Sequence, residues 1–479
     1  MNTPIYDFTE NYRESGAIRL HMPGHKGVAG PLGAEPSDIT EIDGADVLSQ
    51  ACGIIAESEA NAGTMFGCRT LYSTEGSSLC IRAMVFLLKK IALAAGKEPR
   101  ILAARNVHRS FLDAVAAMDV TVDWIMPLRS DSYERCSLRA DELSTIIEEQ
   151  RNAGEMPTAV YLTSPDYLGN IAEIAAIAEV CHRWGVFLAV DNAHGAYLKF
   201  LAQSLHPMDH GADLCCDSAH KTLPVLTGGA YLHISKNTDP FFAEYAGQAM
   251  ALFATTSPSY LILQSLDLCN AYLAECGNAF ECAALRTDRL RDALGSAGYR
   301  TAGDERLKIT LVAGEAFRDG TILAKHLAER GIVTEYADRD HVVMMFGPMT
   351  REEEYDAVLR ELTELADRAV SGGEDGENKA PDGDISGHGD LQSGADTAQE
   401  LRERVPRPTV VLMPSEAILA ESEYVDATQC AGRVLAEPLL CCPPCVPVAM
   451  CGEALTESVA RYVRGRVRVV KEPVRRTHR

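Results

Sequence analysis

Ala212-Asp-Leu-Cys-Cys-Asp-Ser-Ala-His-Lys-Thr-Leu-Pro224 sets a lysine, Lys221, just beyond a short apolar run, flanked by Ser218 and His220. A Gly-rich turn and a second strand-like run, Ala230-Tyr-Leu-His-Ile234, follow it. Upstream, the apolar run Val186-Phe-Leu-Ala-Val190 ends in Asp191-Asn-Ala-His194. An aspartate ending one buried strand and a lysine ending its neighbour suit a pyridoxal phosphate site. The amine condenses with the aldehyde, and the carboxylate keeps the pyridine nitrogen protonated. On spacing alone Lys221 is equally an ordinary loop lysine, so the rest of the chain must decide.

Working outward, strand-like and helix-like segments alternate from residue 100 to 235. The strand candidates are Arg100–Ala104, Val120–Met126, Ala159–Thr163, Val186–Val190, Leu214–Cys216 and Ala230–Ile234. Helical patterns such as Ile171–Trp184, closed by Gly185 as a C-cap, lie between them. That alternation predicts an α/β domain with a largely parallel sheet, whose ligands sit beyond the carboxyl ends of the strands. Ser73–Ser78, His108, Asp166, Asp191 and Lys221 all follow predicted strands, so the polar signals gather on one edge.

Thr70-Leu-Tyr-Ser-Thr-Glu-Gly-Ser-Ser78 precedes Leu79–Leu88, which is apolar nearly all round and reads as a buried helix. Its hydroxyls and free N–H groups at the positive end of the helix dipole suit a phosphate. An N-cap with nothing bound fits the same residues. The first fifty residues, with His21-Met-Pro-Gly-His-Lys-Gly27, read as an arm rather than a core. After residue 255 a helical stretch, Leu307–Ala313, a helix around 322–330 and the runs Ile332–Tyr336 and His341–Phe346 read as a smaller α+β domain.

Residues 371–400 hold seven glycines and eight acids against one lysine, the composition of a disordered linker. A compact tail follows. It contains Cys442 and Cys445 as a C-x-x-C pair without further ligands, so no metal is expected. Eight Lys/Arg in the last nineteen residues read as a solvated strand and tail. The predicted division is an arm 1–50, a large cofactor-binding domain 51–250, a small domain 251–370, a linker 371–404 and a C-terminal domain 405–479.

The 479 residues carry a net charge of −23, which argues against nucleic acid or anionic membrane as partners. No run of about 18 apolar residues exists to span a membrane, and the N-terminus lacks a basic-then-apolar leader. Fifteen scattered cysteines then read as reduced thiols in a cytoplasmic protein.

Taken in order, the motifs resemble the Orn/Lys/Arg decarboxylase family of pyridoxal-phosphate enzymes, with its aspartate-aminotransferase-like (type I) fold. The resemblance rests on His21–Gly27, Asp38–Leu48, Ser73–Ser77, Arg105-Asn-Val-His-Arg-Ser110, Asp191–Gly195, Ser218–Leu223, Thr256–Tyr260, Pro443–Pro447 and Gly452-Glu453. In length the chain is similar to the shorter arginine-decarboxylase-like members. The resemblance implies Lys221 as the Schiff-base lysine, Asp191 on the pyridine nitrogen, His108 stacked on the ring and His194 close to ring and substrate. Ser73, Thr74, Gly76, Ser77, Ser218 and His220 would hold the phosphate. It also implies a homodimer or higher homo-oligomer whose active sites lie at the subunit interface, served by Thr256–Tyr260 and the arm.

Decarboxylation of a basic amino acid, arginine ahead of lysine or ornithine, is the activity implied. A carboxylate should then meet the distal cation, with Asp46 and Glu453 as candidates. An aminotransferase or carbon–sulfur lyase keeps the cofactor and changes the reaction, and a non-catalytic homologue keeps only the fold. Asp166, Glu75, Leu226-Thr-Gly-Gly229, Cys445 and Cys451 depart from the family's usual residues. They put substrate choice in doubt, not Lys221 or Asp191.

Overall fold

A computed structural model describes residues 1–126, 138–371, 409–441, 446–460, 463 and 465–471. The Cys442/Cys445 pair, nearly all of the acidic linker and the last residues of the basic tail lie outside them.

Seven strands form the central sheet: β1 Arg69–Ser73, β2 Arg100–Ala104, β3 Thr121–Ile125, β4 Ala159–Thr163, β5 Phe187–Asp191, β6 Leu214–Asp217 and β7 Ala230–Ile234. Their order is β1-β7-β6-β5-β4-β2-β3. Only β7 runs against its neighbours, β1 and β6. The β1 register pairs Ser73 with Ala230, so the turn after β1 lies beside the turn before β7.

The apolar segment after β1 becomes α3, Ser77–Ala94. Nine of its side chains are buried, from Leu79 to Ala92, as an apolar surface on every side of a helix requires. It packs one face of the sheet with α4 (Arg109–Met118) and α8 (Pro240–Phe253). Helices α5 (Ala140–Ala153) and α6 (Ile174–Arg183) cover the other face. Helix α6 starts three residues later than its apolar pattern. The Ala172 N–H is spent on Ser164 Oγ, 3.0 Å away, and the Asn170 N–H on Asp166. Gly185, at φ 68°, takes the left-handed position expected after its end.

The first residues are docked rather than free. Helix α1 (Pro4–Glu14) buries Ile5, and its Ile5 and Tyr6 N–H groups donate to Asp267 of α9 (Tyr260–Glu275) at 2.9 and 3.0 Å. A second, antiparallel sheet has its own core. It joins β8 (Arg300–Ala302), β9 (Lys308–Val312), β10 (Tyr336–Ala337) and β11 (His341–Met345) in the order β10-β11-β9-β8. Of the run 332–336 only its last residue is in a strand, because the Ile332 N–H turns back to Leu327 O at 3.0 Å.

The second sheet clasps the loop after β4. Asp304 and Glu305 N–H donate to Gly169 O at 2.7 and 2.8 Å. The Thr310 hydroxyl donates to Leu168 O at 2.9 Å. Tail strands Ser422–Asp426 and Arg466–Val470 pair antiparallel. A buried ion pair, Arg105 Nη2 to Glu453 Oε2 at 2.8 Å, fastens the tail to the large domain. Among the described residues no helix is long and apolar enough to cross a membrane.

Candidate active site

Strands β1, β2, β4, β5 and β6 point their carboxyl ends at one edge, and the polar residues after them meet there. Lys221 sits in a single helical turn, Ala219–Thr222, directly after β6. Its Nζ lies 3.0 Å from His194 Nε2. Lys221 is exposed by area, yet burial of its amine lowers its pKa below the usual lysine range, against the opposing pull of Asp191. Together these describe an amine at the floor of an open cleft. Burial, reinforced by Lys221 itself, pushes the His194 imidazole well below its ordinary value, so His194 is neutral.

Asp191 ends β5 with 2% of its surface exposed. Its Oδ1 accepts from the Ala193 N–H at 3.2 Å and from Cys216 Sγ at 3.6 Å, which leaves acceptor capacity on the carboxylate. His108 caps α4, and its Nδ1 accepts the Ser110 N–H at 3.2 Å. Burial lowers its pKa against the attraction of Asp191, which leaves a neutral planar ring near both Asp191 and Lys221.

The turn into α3 divides the predicted phosphate residues. Gly76 adopts φ 69°, and the helix has no side-chain N-cap, so its first N–H groups point outward uncapped. Ser218 Oγ donates to Ser77 Oγ at 2.8 Å, and Ser110 Oγ to Ser78 Oγ at 2.7 Å, giving a rim of hydroxyls. Thr74 is buried beside them. The Ser73 hydroxyl instead closes its own turn, donating to Gly76 O at 2.9 Å. The His220 ring lies 3.0 Å from Gly229 O. Glu75 turns away and accepts the Thr255 N–H at 2.7 Å.

The glycines at the end of Leu226–Gly229 allow a close backbone approach. Gly76 N–H donates to Gly228 O at 2.7 Å, and a Cβ on Gly228, which sits at φ 103°, would stand 2.7 Å from Thr74 O. Only glycine permits this approach.

Buried polar atoms without a hydrogen-bond partner occur on this edge: the Asn106 amide, Thr163 Oγ1, His194 Nδ1 and Thr222 Oγ1. Native interiors rarely leave such groups unpaired, so they fit a site built for a polar ligand. The donors and the planar ring suit pyridoxal phosphate: an amine, a carboxylate, a neutral imidazole and an uncapped helix N-terminus.

Asp217, one residue before Ser218, was not singled out by the sequence. Its Oδ2 receives His206 Nε2 at 2.9 Å and His233 Nε2 at 3.1 Å, and its Oδ1 receives Asn192 Nδ2 at 2.7 Å, all within fully buried surroundings. His206, Asp217 and His233 have the residue types of a metal site. However, the Met208 N–H donates to His206 Nδ1, which puts the ring proton on Nε2, facing the carboxylate. Hydrogen bonding therefore accounts for the contact.

A separate, small pocket is lined by Glu41, Glu59, Leu79, Thr255 and Thr256, and by none of Lys221, Asp191 or His108. Burial lifts the Glu59 carboxyl to about 7. Asp46 is committed to helix capping. Burial would raise its pKa, but N–H groups of Cys52, Val47 and Gly53 hold it low.

Residues 3–293 match the family model described as Orn/Lys/Arg decarboxylase, major domain. The chain belongs to the Orn/Lys/Arg decarboxylase family. Within it, an arginine decarboxylase of Halalkalibacterium halodurans is 27% identical over 96% of this chain and 93% of its own. An arginine decarboxylase of Bacillus subtilis is 26% identical, with the same coverage. The constitutive lysine decarboxylase of E. coli superposes with a TM-score of 0.75 at 19% identity, over 98% of this chain and 82% of that one. The seven-stranded α/β fold is thus that of a type I pyridoxal-phosphate decarboxylase.

Proposed function

We propose that this Orn/Lys/Arg decarboxylase removes CO2 from a basic amino acid, arginine ahead of lysine or ornithine, with pyridoxal phosphate held by Lys221. The contact between Lys221 Nζ and His194 at 3.0 Å, with Asp191 at the adjacent strand end, carries this reading. When bound, the cofactor supplies an electron sink for the pair released as the carboxylate leaves.

The chain's residues do the rest. The lowered pKa of Lys221 raises the share of neutral amine that can attack an aldehyde. Asp191 offers an acceptor for a protonated ring nitrogen and favours that charged form. His108 supplies a flat neutral face. The uncapped α3 N-terminus with Thr74, Gly76, Ser77 and Ser218 would hold the phosphate, while Ser73 and His220 shape the loops around it. Neutral His194 stands where a proton must pass to or from the Lys221 amine.

We propose the five-part division given above as the domain organisation. A homodimer with active sites at its interface accords with Ile18, Leu20 and Leu32 of the arm, each at least 86% exposed. Buried free thiols such as Cys68, Cys80 and Cys181 accord with a cytoplasmic location.

Arginine, lysine and ornithine, each incubated with the pyridoxal-phosphate-loaded protein, test the reading through CO2 and amine release. Arginine should give agmatine fastest. Formation of a 2-oxo acid without CO2 would overturn it.

A further inference from the structure

Two carboxylates act on the Lys221 amine, Asp191 and Glu335. The first belongs to the cofactor in the reading above. Glu335 comes from the second sheet, and its backbone N–H donates to Val343 O at 2.9 Å, which anchors it at the start of β10. Its side chain is exposed, and its Oε1 accepts the Tyr167 hydroxyl at 3.0 Å. The Tyr167 ring stands edge-on to His194 at 5.2 Å and to Tyr336 at 5.4 Å. A continuous wall thus runs from Lys221 through His194 and Tyr167 to Glu335.

Other acids named above are engaged. Asp46 holds backbone N–H groups. Glu453 is bound by Arg105, Glu305 by Lys308 at 2.7 Å, and Asp166 by the Asn170 amide at 2.7 Å. Glu335 keeps capacity to spare, since a phenol fills one of about four acceptor positions on a carboxylate.

We propose that Glu335 is the specificity-determining carboxylate that receives the distal cation of the substrate, oriented by Tyr167. This rests on the decarboxylase reading. A guanidinium presents a planar fork that engages a carboxylate through two hydrogen bonds, whereas an ammonium presents a point charge. Glu335 therefore favours arginine over lysine. On an exposed side chain its charge is screened by water. A substrate side chain lying along Tyr167 displaces that water and strengthens the pairing.

Steady-state decarboxylation by the loaded wild type, Glu335→Gln and Tyr167→Phe, with arginine and its neutral isostere citrulline, tests this. Glu335→Gln should raise the KM for arginine about tenfold or more, the worth of a charged hydrogen bond. Its kcat should change less, and its kcat/KM for citrulline should stay at the wild-type value. Tyr167→Phe, which keeps the carboxylate and loses only its orienting phenol, should raise the arginine KM severalfold.

Arginine binding, followed by perturbation of the cofactor's visible band, should weaken in parallel. Should Glu335→Gln lose that band, Glu335→Asp must show the same selective loss for arginine. An unchanged arginine KM, or equal losses for arginine and citrulline, would overturn the proposal while leaving the decarboxylase reading intact. A wild type that releases no CO2 from any basic amino acid would remove both.

Discussion

Asp191 and Asp217 end neighbouring strands of one sheet, both buried, and their surroundings are opposite. Asp217 is saturated by two imidazoles and an amide. Asp191 holds one backbone N–H and a thiol contact. A buried carboxylate is costly unless its acceptor sites are filled. Asp217 fills them within the fold and serves structure. Asp191 keeps acceptor capacity in reserve, which suits the ring-nitrogen role proposed for it. The same residue type at the same edge thus differs in its hydrogen-bond count, and several substitutions test whether that difference separates anchor from site.

Lys221→Ala should have the largest effect. It should abolish amine formation and the visible band of lysine-bound cofactor while leaving the melting temperature of the apo-protein close to wild type. Asp191→Asn comes next. It keeps the volume and loses the charge, so kcat should fall roughly 10²–10³-fold, as when one preorganised electrostatic partner is removed, with little loss of apo-protein stability.

Asp217→Asn should reverse the pattern, costing about 3–5 kcal/mol in denaturant unfolding by stranding buried His233 without its counter-charge. The pair also carries a pH signature. Burial works against the His233 cation, but Cys68 and Asp217 outweigh it and raise its pKa to about 10. An imidazole with a raised folded pKa contributes stability that is complete below about 6.5 and lost as pH rises toward 10. Burial opposes the Asp217 anion, and the two histidines more than offset it. Its share is present above the ordinary carboxylate range and disappears only in strong acid. Unfolding between pH 6.5 and 10 should slope in the wild type and slope less in Asp217→Asn, where Cys68 alone still favours the His233 cation.

The smallest effect belongs to Glu59, whose Oε1 accepts the Tyr72 N–H at 2.8 Å and whose carboxyl titrates near 7. A raised acid pKa favours the folded state at low pH and loses that contribution as pH rises through about 7. Glu59→Gln should therefore stabilise the protein by about 1–2 kcal/mol at pH 8, and hardly at all at pH 5. The value is below the full shift because the side chain is part-exposed. Thermal melts at the two pH values read it.

The contrast also marks what the sequence discloses. The strand-end positions of Lys221, Asp191 and His108 could be read because they follow from hydrophobic period, and period is local. The hydrogen bonds of Ser73 and His220 could not be, because a motif states residue type and not where a hydroxyl or ring nitrogen points. Asp217 looked like a mere neighbour of Lys221, since its partners His206 and His233 sit 11 and 16 positions away under no spacing rule. Tyr167 and Glu335 are 168 residues apart, and only the docking of the two sheets joins them. The late start of α6 has the same origin, a side-chain bond to Ser164 that no periodicity reports.

The clasp between the second sheet and the loop after β4 has a further consequence. Gly169 and Leu168 carbonyls grip Asp304, Glu305 and Thr310, so Tyr167 and Glu335 move as one piece. Lys221 stands on the other sheet. Under the proposed assignments, the span from the Lys221 amine to Glu335 is therefore a calliper whose jaws belong to two sheets. Its setting depends on the few hydrogen bonds of the clasp. Counting methylenes in a substrate becomes a property of that joint, and selectivity for chain length can drift through residues far from the chemistry.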